Sequence, residues 1–240
     1  MLDKTVALVT GSSRGIGKAI ALKFAREGMA VVLTARHEKD LQKVAREIID
    51  EGGTKTLIIP ADLKKESDII KLADEVIKQW GRIDVLVNNA GVGYLKPFLE
   101  LKMEEFQEML DLNIRAVFAL TQQVLPHMIE RKTGTIINIA SLAGKNGFKS
   151  GTGYGASKWA LRGFAQSLML EVREHDIRVV TIFPGSVQSD FGSGESPTGT
   201  LSKNKMQPGD IAETAFMAFL MPVRTMVSEI DMRPTNPSKN

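Results

Sequence analysis

The sequence has no cysteine among its 240 residues, which excludes disulfides, thiolate metal ligands and a cysteine nucleophile together. Aromatic side chains are sparse, with only two tyrosines and two tryptophans, and there are three histidines. A tyrosine in a patterned context is therefore informative. Charge of one sign is not in excess: 31 basic and 28 acidic residues leave a formal charge of +3, dispersed without blocks. That is too mild to argue for a nucleic-acid or anionic-membrane partner. No apolar run approaches the roughly 20 residues that span a bilayer. Asp3 and Lys4 precede only a short apolar stretch, so no secretory signal is expected and the cytoplasm is the expected location. The His, Asp and Glu residues form no cluster of metal-ligand spacing, and no metal is expected.

What is present is the material of a sizeable core, with 43% hydrophobic and 25% charged residues. Short β-branched runs at 5–10, 30–35, 56–61, 84–90, 134–141 and 177–184 read as strands, with a last one near 225–232. They are mostly continuous rather than alternating, as in strands covered on both faces. Amphipathic stretches at 15–28, 38–52, 66–80, 104–131 (with a break), 154–175 and 208–220 read as helices. The alternation predicts a single α/β domain over 1–240: a doubly wound parallel sheet of about seven strands with helices on both faces. The segment at 189–207 is rich in Gly, Ser and Thr. Following the sixth strand, it should emerge where ligands bind in such sheets, and it is expected to be a flexible substrate lid.

The stretch "VTGSSRGIGKAI" (9–20) admits three readings. A nucleotide-triphosphate loop fails at both ends, because Ser12 stands where its first glycine belongs and Ala19 follows Lys18. A hydrolase elbow around Ser13 has only one strand before it, and no histidine has an obvious acid partner. The third reading is a turn that lets a dinucleotide pyrophosphate approach the backbone and the positive end of the following helix. Glycine turns before helices are common, so the loop alone leaves the question open.

Tyr154 and Lys158 in "GYGASKWALRGF" lie four apart and share a helix face. Such a pair is most often a solvated surface, but this one follows a strand–loop ending at Ser141. An ammonium about 4 Å from a phenol contributes roughly 4 kcal/mol, or about three pK units, as an upper bound. Tyr154 is thus expected to be tuned toward neutrality as a general acid for a carbonyl oxygen, with Ser141 holding the same oxygen.

Four features in order, "TGSSRGIG" (10–17), "NNAG" (88–91), Ser141 with "YGASK" (154–158), and "PG" (184–185), resemble the short-chain dehydrogenase/reductase family. The resemblance implies a single-domain Rossmann fold and hydride transfer between a nicotinamide and a carbonyl or alcohol. It implies catalytic roles for Ser141, Tyr154, Lys158 and Asn113, the last holding a water in a proton relay. Lys158 would also bind the nicotinamide ribose. It places the cofactor against Gly11, Ser13, Arg14, Gly15, Ile16 and Gly17 of the turn, and Asp62 and Leu63 beside adenine. Asn89, Ala90 and Gly91 would line the cleft, with Asn88 more structural, and Pro184, Gly185, Val187 and Ser189 would lie by the nicotinamide. For Asp62, a helix N-cap is a second reading.

NAD-binding chains usually carry an acid at the end of the second strand. Here Ala35 and Arg36 stand there, and Arg36 with Arg14 would bracket a 2′-phosphate. NADP(H) is therefore preferred over NAD(H). The chain is similar to 3-oxoacyl-carrier-protein reductases and to general carbonyl reductases, but its ending "SEIDMRPT" departs from the former. A ketone or aldehyde reductase is the first reading. A 3-oxoacyl reductase, a secondary-alcohol or 3-hydroxy-acid dehydrogenase, and an NADPH-binding sensor are the alternatives. The expected partners are a small-molecule substrate and further copies of the chain, as a homodimer or homotetramer. Candidate substrate-pocket residues are Tyr94, Leu142, Lys145, Phe148, Val187 and Phe191. Lys145 would meet an acidic substrate or simply be solvated.

Overall fold

The computed structural model describes residues 2–53, 55–189, 191 and 204–237. Its seven strands are β1 (Val6–Thr10), β2 (Ala30–Thr34), β3 (Thr56–Ile58), β4 (Val85–Asn88), β5 (Gly134–Ile139), β6 (Ile177–Pro184) and β7 (Glu229–Met232). They form one sheet in the order β3-β2-β1-β4-β5-β6-β7, and every pairing is parallel. The helices are α1 (Gly15–Arg26), α2 (Glu38–Asp50), α3 (Glu66–Trp80), α4 (Met103–Leu110), α5 (Ala116–Arg131), α6 (Thr152–Val172) and α7 (Pro208–Leu220). Among the described residues no helix is long and apolar enough to cross a membrane.

The continuous apolar strands have the cause expected of them. β1 sends Ala7 and Val9 into a core shared with α1, α2 and α7, and Val6 and Leu8 into a second core shared with α3, α5 and α6. A strand covered on both faces has no solvated side, so its hydrophobic residues need not alternate. Fully buried side chains such as Leu8, Phe24, Leu41 and Leu72 each contribute about 1.5–3 kcal/mol by leaving water. The expected doubly wound parallel sheet of seven strands is the architecture found.

Boundaries moved for local reasons. The run 56–61 stops as a strand at Ile58, yet Ile59 and Ala61 still donate to Leu33 and Ala35 of the β2 side. Pro60 between them has no N–H, which an edge position tolerates. The last strand begins at Glu229 rather than 225. The break within 104–131 is a π-helical turn at Asp111–Arg115 that separates α4 from α5. Such turns insert one residue into a helix and recur at functional sites. Of the expected lid, only Ser189, Phe191 and 204–207 are among the described residues.

The topology sets the position of the site. The chain runs from β1 outward through β2 to β3, then returns to lay β4 on the other side of β1. The C-terminal ends of β1 and β4 therefore flank the crevice where ligands bind in open α/β sheets.

Candidate active site

β1 ends at Thr10 and turns on Gly11, whose φ of +63° is left-handed, with Gly15 at +54°. A Cβ on Gly11 would stand 2.9 Å from the Cα of Ala90. Gly17 is tighter, since a Cβ there would meet the Gly11 carbonyl oxygen at 2.3 Å and the Asn89 amide nitrogen at 2.4 Å. The Asn89 side chain clamps this turn by donating to the carbonyls of Thr10 (2.8 Å) and Gly11 (3.2 Å). Thr10 Oγ1 accepts in return from the backbone amides of Asn89 (2.9 Å) and Ala90 (3.0 Å). The strand ends that flank the crevice are thus tied together.

A cleft of about 780 Å³ opens over this turn. Gly11, Ser13, Arg14, Gly15 and Ile16 line it from β1 and α1. Helix α1 has no side-chain cap at Arg14 and no acid in its first turn, which leaves its first amides to an anion such as a pyrophosphate. Arg36, Asp62 and Leu63 line the cleft from the ends of β2 and β3, and Asn89, Ala90 and Gly91 from β4. Gly17 does not line it. It sits behind the turn, where its lack of a side chain lets α1 approach β4.

Asp62 is not the N-cap of α3, because the helix starts after Lys65. Its carboxylate accepts from the Lys64 amide at 3.1 Å and its own amide donates to Asp68 at 2.9 Å, so it shapes the turn before the helix. Asn88 is structural, as expected: its buried amide donates to Asn138 (2.9 Å) between β4 and β5.

The other wall of the cleft carries Ser141, Tyr154, Lys158, Pro184, Gly185, Val187 and Ser189. Ser141 caps a short 3-10 turn at Leu142–Gly144, its Oγ accepting from the Ala143 amide at 3.2 Å. That turn rests on α6, and a Cβ on Gly144 would stand 2.7 Å from the Lys158 carbonyl oxygen. Tyr154 and Lys158 occupy successive turns of α6, 8% and 4% exposed. The ammonium of Lys158 donates to the Ile139 carbonyl at 3.0 Å and lies 5.9 Å from the centre of the Tyr154 ring.

Electrostatics here departs from expectation. Burial pushes the Tyr154 phenol up to about 12, and its hydrogen bond with Ser141 only partly opposes this. Burial also pulls Lys158 down to about 8. The anticipated shift of the phenol toward neutrality is absent because loss of water dominates, and the Lys158 ammonium is bonded to the Ile139 carbonyl. Tyr154 is therefore a protonated donor at neutral pH.

Asn113 lies on the π-helical turn, 1% exposed, and does not line the cleft. Its Oδ1 accepts from the Val92 amide (2.9 Å), and its Nδ2 donates to the Val92 carbonyl (2.8 Å) and to Ser157 (2.9 Å). The side chain thereby fastens the loop after β4 to α6. Phe191 packs on Tyr154 with ring centres 5.6 Å apart. Gly93 makes room for it, since a Cβ there would fall 2.8 Å from the Phe191 ring.

Two substrate-pocket candidates are placed elsewhere. Tyr94 turns its hydroxyl to Glu108, donating at 2.6 Å, while Lys64 donates to the same carboxylate at 2.8 Å. Lys145 is neither solvated nor free for a substrate: it lies 2.6 Å from both Glu229 and Asp231 and 4.2 Å from the centre of the Phe183 ring. Arg162, one turn beyond Lys158, bonds Glu229 at 2.8 and 3.1 Å. Burial alone would raise the Glu229 carboxyl, but Arg162 and Lys145 outweigh it and hold it at about 2. One carboxylate of β7 thus joins the loop after Ser141 to the helix of Tyr154. Sequence reasoning missed Glu229, and also Lys64, Glu108 and Asp40, which line the dinucleotide end of the cleft. The partners of Glu229, Lys64 and Glu108 are remote in the chain, and Asp40 pairs locally with Lys43 in a way that does not mark a site.

Similarity to known proteins extends over nearly the whole length. The short chain dehydrogenase family profile matches residues 5–198. A sepiapterin reductase of Chlorobaculum tepidum is 35% identical over 241 residues, covering 97% of each chain. Among solved structures, a metagenomic short-chain oxidoreductase in complex with NADP is 39% identical, with a TM-score of 0.85 and 98% of both chains covered. An alcohol dehydrogenase from the archaeon Thermococcus sibiricus, complexed with 5-hydroxy-NADP, is 32% identical with a TM-score of 0.91, covering 98% of this chain and 99% of that one. Sequence and fold correspond along the full length and not at a single motif, and the chain belongs to the short-chain dehydrogenase family of oxidoreductases.

Proposed function

We propose that the protein is an NADP(H)-dependent reductase of small ketones or aldehydes, with Ser141, Tyr154 and Lys158 as its catalytic residues. The observation that carries this reading is that all three line the same cleft as the glycine turn. Gly11, Ser13, Arg14, Gly15 and Ile16 would hold the dinucleotide, which when bound would supply the hydride. Tyr154, kept protonated by burial, donates the proton to the carbonyl oxygen, and Ser141 holds that oxygen beside it. Lys158 keeps a positive charge near the phenolate that remains and is held in line by the Ile139 carbonyl. Asn113 acts indirectly, by fixing the loop that carries Gly91 and Val92 against α6.

The preference for NADP(H) rests on Arg14 and Arg36, which line the end of the cleft where the second strand stops. A guanidinium suits a 2′-phosphate, whereas a carboxylate there would repel it. Asp40 also lines this end, but Lys43 bonds its carboxylate at 2.9 Å. The NADP and 5-hydroxy-NADP held by the two structural relatives support the same choice.

The test is cofactor consumption against a panel of ketones and aldehydes. Faster turnover with NADPH than with NADH is expected. Tyr154→Phe should lower turnover by about a hundred- to ten-thousand-fold, with cofactor binding retained by fluorescence titration. Undiminished turnover in that variant would remove Tyr154 from the chemistry.

A further inference from the structure

Beyond Ser141 the cleft continues into a side pocket of about 370 Å³ that shares Ala143, Phe148, Gly185 and Ser186 with it. Leu142, Phe148, Pro234 and Pro237 give the pocket apolar walls, and Arg233 is the charged residue among those that line it. Arg233 stands at the C-terminal edge of the sheet, directly after β7, where Met232 accepts a hydrogen bond from the Gly185 amide at 2.9 Å.

The charges behind this pocket do not balance. Glu229 and Asp231 face three cations: Lys145, Arg162 and Arg233. Lys145 holds Asp231 Oδ1 at 2.6 Å, whereas Arg233 reaches only Oδ2, at 3.3 and 3.4 Å. Arg233 is the loosest member of the group, with its side chain 54% exposed. One positive charge is in surplus among these described residues, and it is presented at an apolar slot that opens from the reactive corner.

We propose that this side pocket receives a carboxylate carried by the substrate, with Arg233 as its partner. The preferred substrates are then oxo acids, whose carbonyl lies at Tyr154 and whose acid group is joined to it by an apolar spacer along Phe148. A planar guanidinium matches a carboxylate through two parallel bonds. The pocket offers one cation among mostly apolar walls, which suits a monoanion better than a phosphate dianion. The inference rests on the carbonyl-reductase reading of the main cleft, and it makes Arg233 a specificity-determining residue.

The experiment compares oxo acids of graded spacer length with their methyl esters and with a phosphorylated ketone, by NADPH consumption. The acid should exceed its ester in kcat/KM, mostly through KM. In Arg233→Gln that acid-over-ester ratio should fall about ten- to hundred-fold, the range for loss of one charge-assisted pair. Arg233→Lys should restore part of it. Turnover of the ester reports on folding in each variant. Equal use of acid and ester by the unmodified protein would overturn the proposal while leaving the reductase reading intact. So would a ratio that survives Arg233→Gln but collapses in Lys205→Gln, since Lys205 is a rival cation that lines the main cleft. Preference for the phosphorylated ketone would reject the carboxylate assignment. No consumption with any carbonyl would reject the reductase reading, and the proposal with it.

Discussion

The two ends of the cleft are built from different materials. The proposed dinucleotide end is made mostly of backbone, with Arg14 and Arg36 at its edge: a left-handed glycine turn, uncapped helix amides, and strand ends tied by Thr10 and Asn89. The substrate end is made of side chains, with an ion network of Lys145, Arg162, Glu229 and Asp231 behind Ser141 and Tyr154. Backbone sites hold a ligand common to many proteins and tolerate little change. Side-chain sites are adjustable one residue at a time, which suits the part of an enzyme that must discriminate among substrates.

The sharpest way to break the dinucleotide end is Gly17→Val. Any Cβ at this position meets backbone at 2.3 Å, so α1 must move away from β4. The expected cost is about 3 kcal/mol or more, seen as a lower thermal midpoint together with lost cofactor binding. Full stability with normal binding would show that the turn yields more than its packing implies.

At the substrate end the corresponding change is Glu229→Gln, which leaves Lys145 and Arg162 without their shared carboxylate. A loss of about 1–3 kcal/mol is expected in urea denaturation. The pH dependence separates charge from shape. The Glu229 carboxyl is held at about 2, below its ordinary 4.5. Its stabilisation is fully present above pH 4.5 and is lost as the pH falls toward 2. The Gln variant should lack this part of the acid transition, and an unchanged acid profile would assign the stability to other carboxylates.

Smaller effects sharpen the contrast. Arg36→Gln should reduce the NADPH-over-NADH preference about ten-fold, the weight of one charge-assisted contact. Stopped-flow or steady-state ratios with the two cofactors measure it. Smallest near neutrality is the titration of Lys158, lowered by burial to about 8. If Lys158 supports the phenolate as proposed, carbonyl reduction should drop to roughly half at pH 8 and continue falling as the ammonium is lost. A rate that stays flat to pH 10 would exclude Lys158 as that support.

The same contrast explains what could be read in advance. Gly11, Gly15 and Gly17 are legible because a turn with left-handed residues and a close helix needs glycine locally, whatever surrounds it. Tyr154 and Lys158 are legible as one helix face. The strand cores are legible as continuous apolar runs, and Pro60 lies two residues past the end of β3 in the run at 56–61. Lys145 was not legible, because its partners lie 84 and 86 residues away, a count fixed by Glu229 and Asp231 on β7. Tyr94 was not legible for the same reason: Glu108 reaches it only once α4 is folded over the loop. The phenol's acidity is not legible from spacing alone, because desolvation depends on how deeply α6 is packed.

The π-helical turn at Asp111–Arg115 has a consequence for how α4 and α5 share the work of the fold. Each residue of an α-helix advances the side-chain direction by about 100°, so one inserted residue gives the two helices separate bearings. Met109 can then sit beneath Tyr94 and Gly153 while Val117, Leu120 and Val124 still meet the interior. Deleting one residue there would regularise the hydrogen-bond ladder but would swing an apolar stripe out into water, so the straighter helix would belong to the poorer protein.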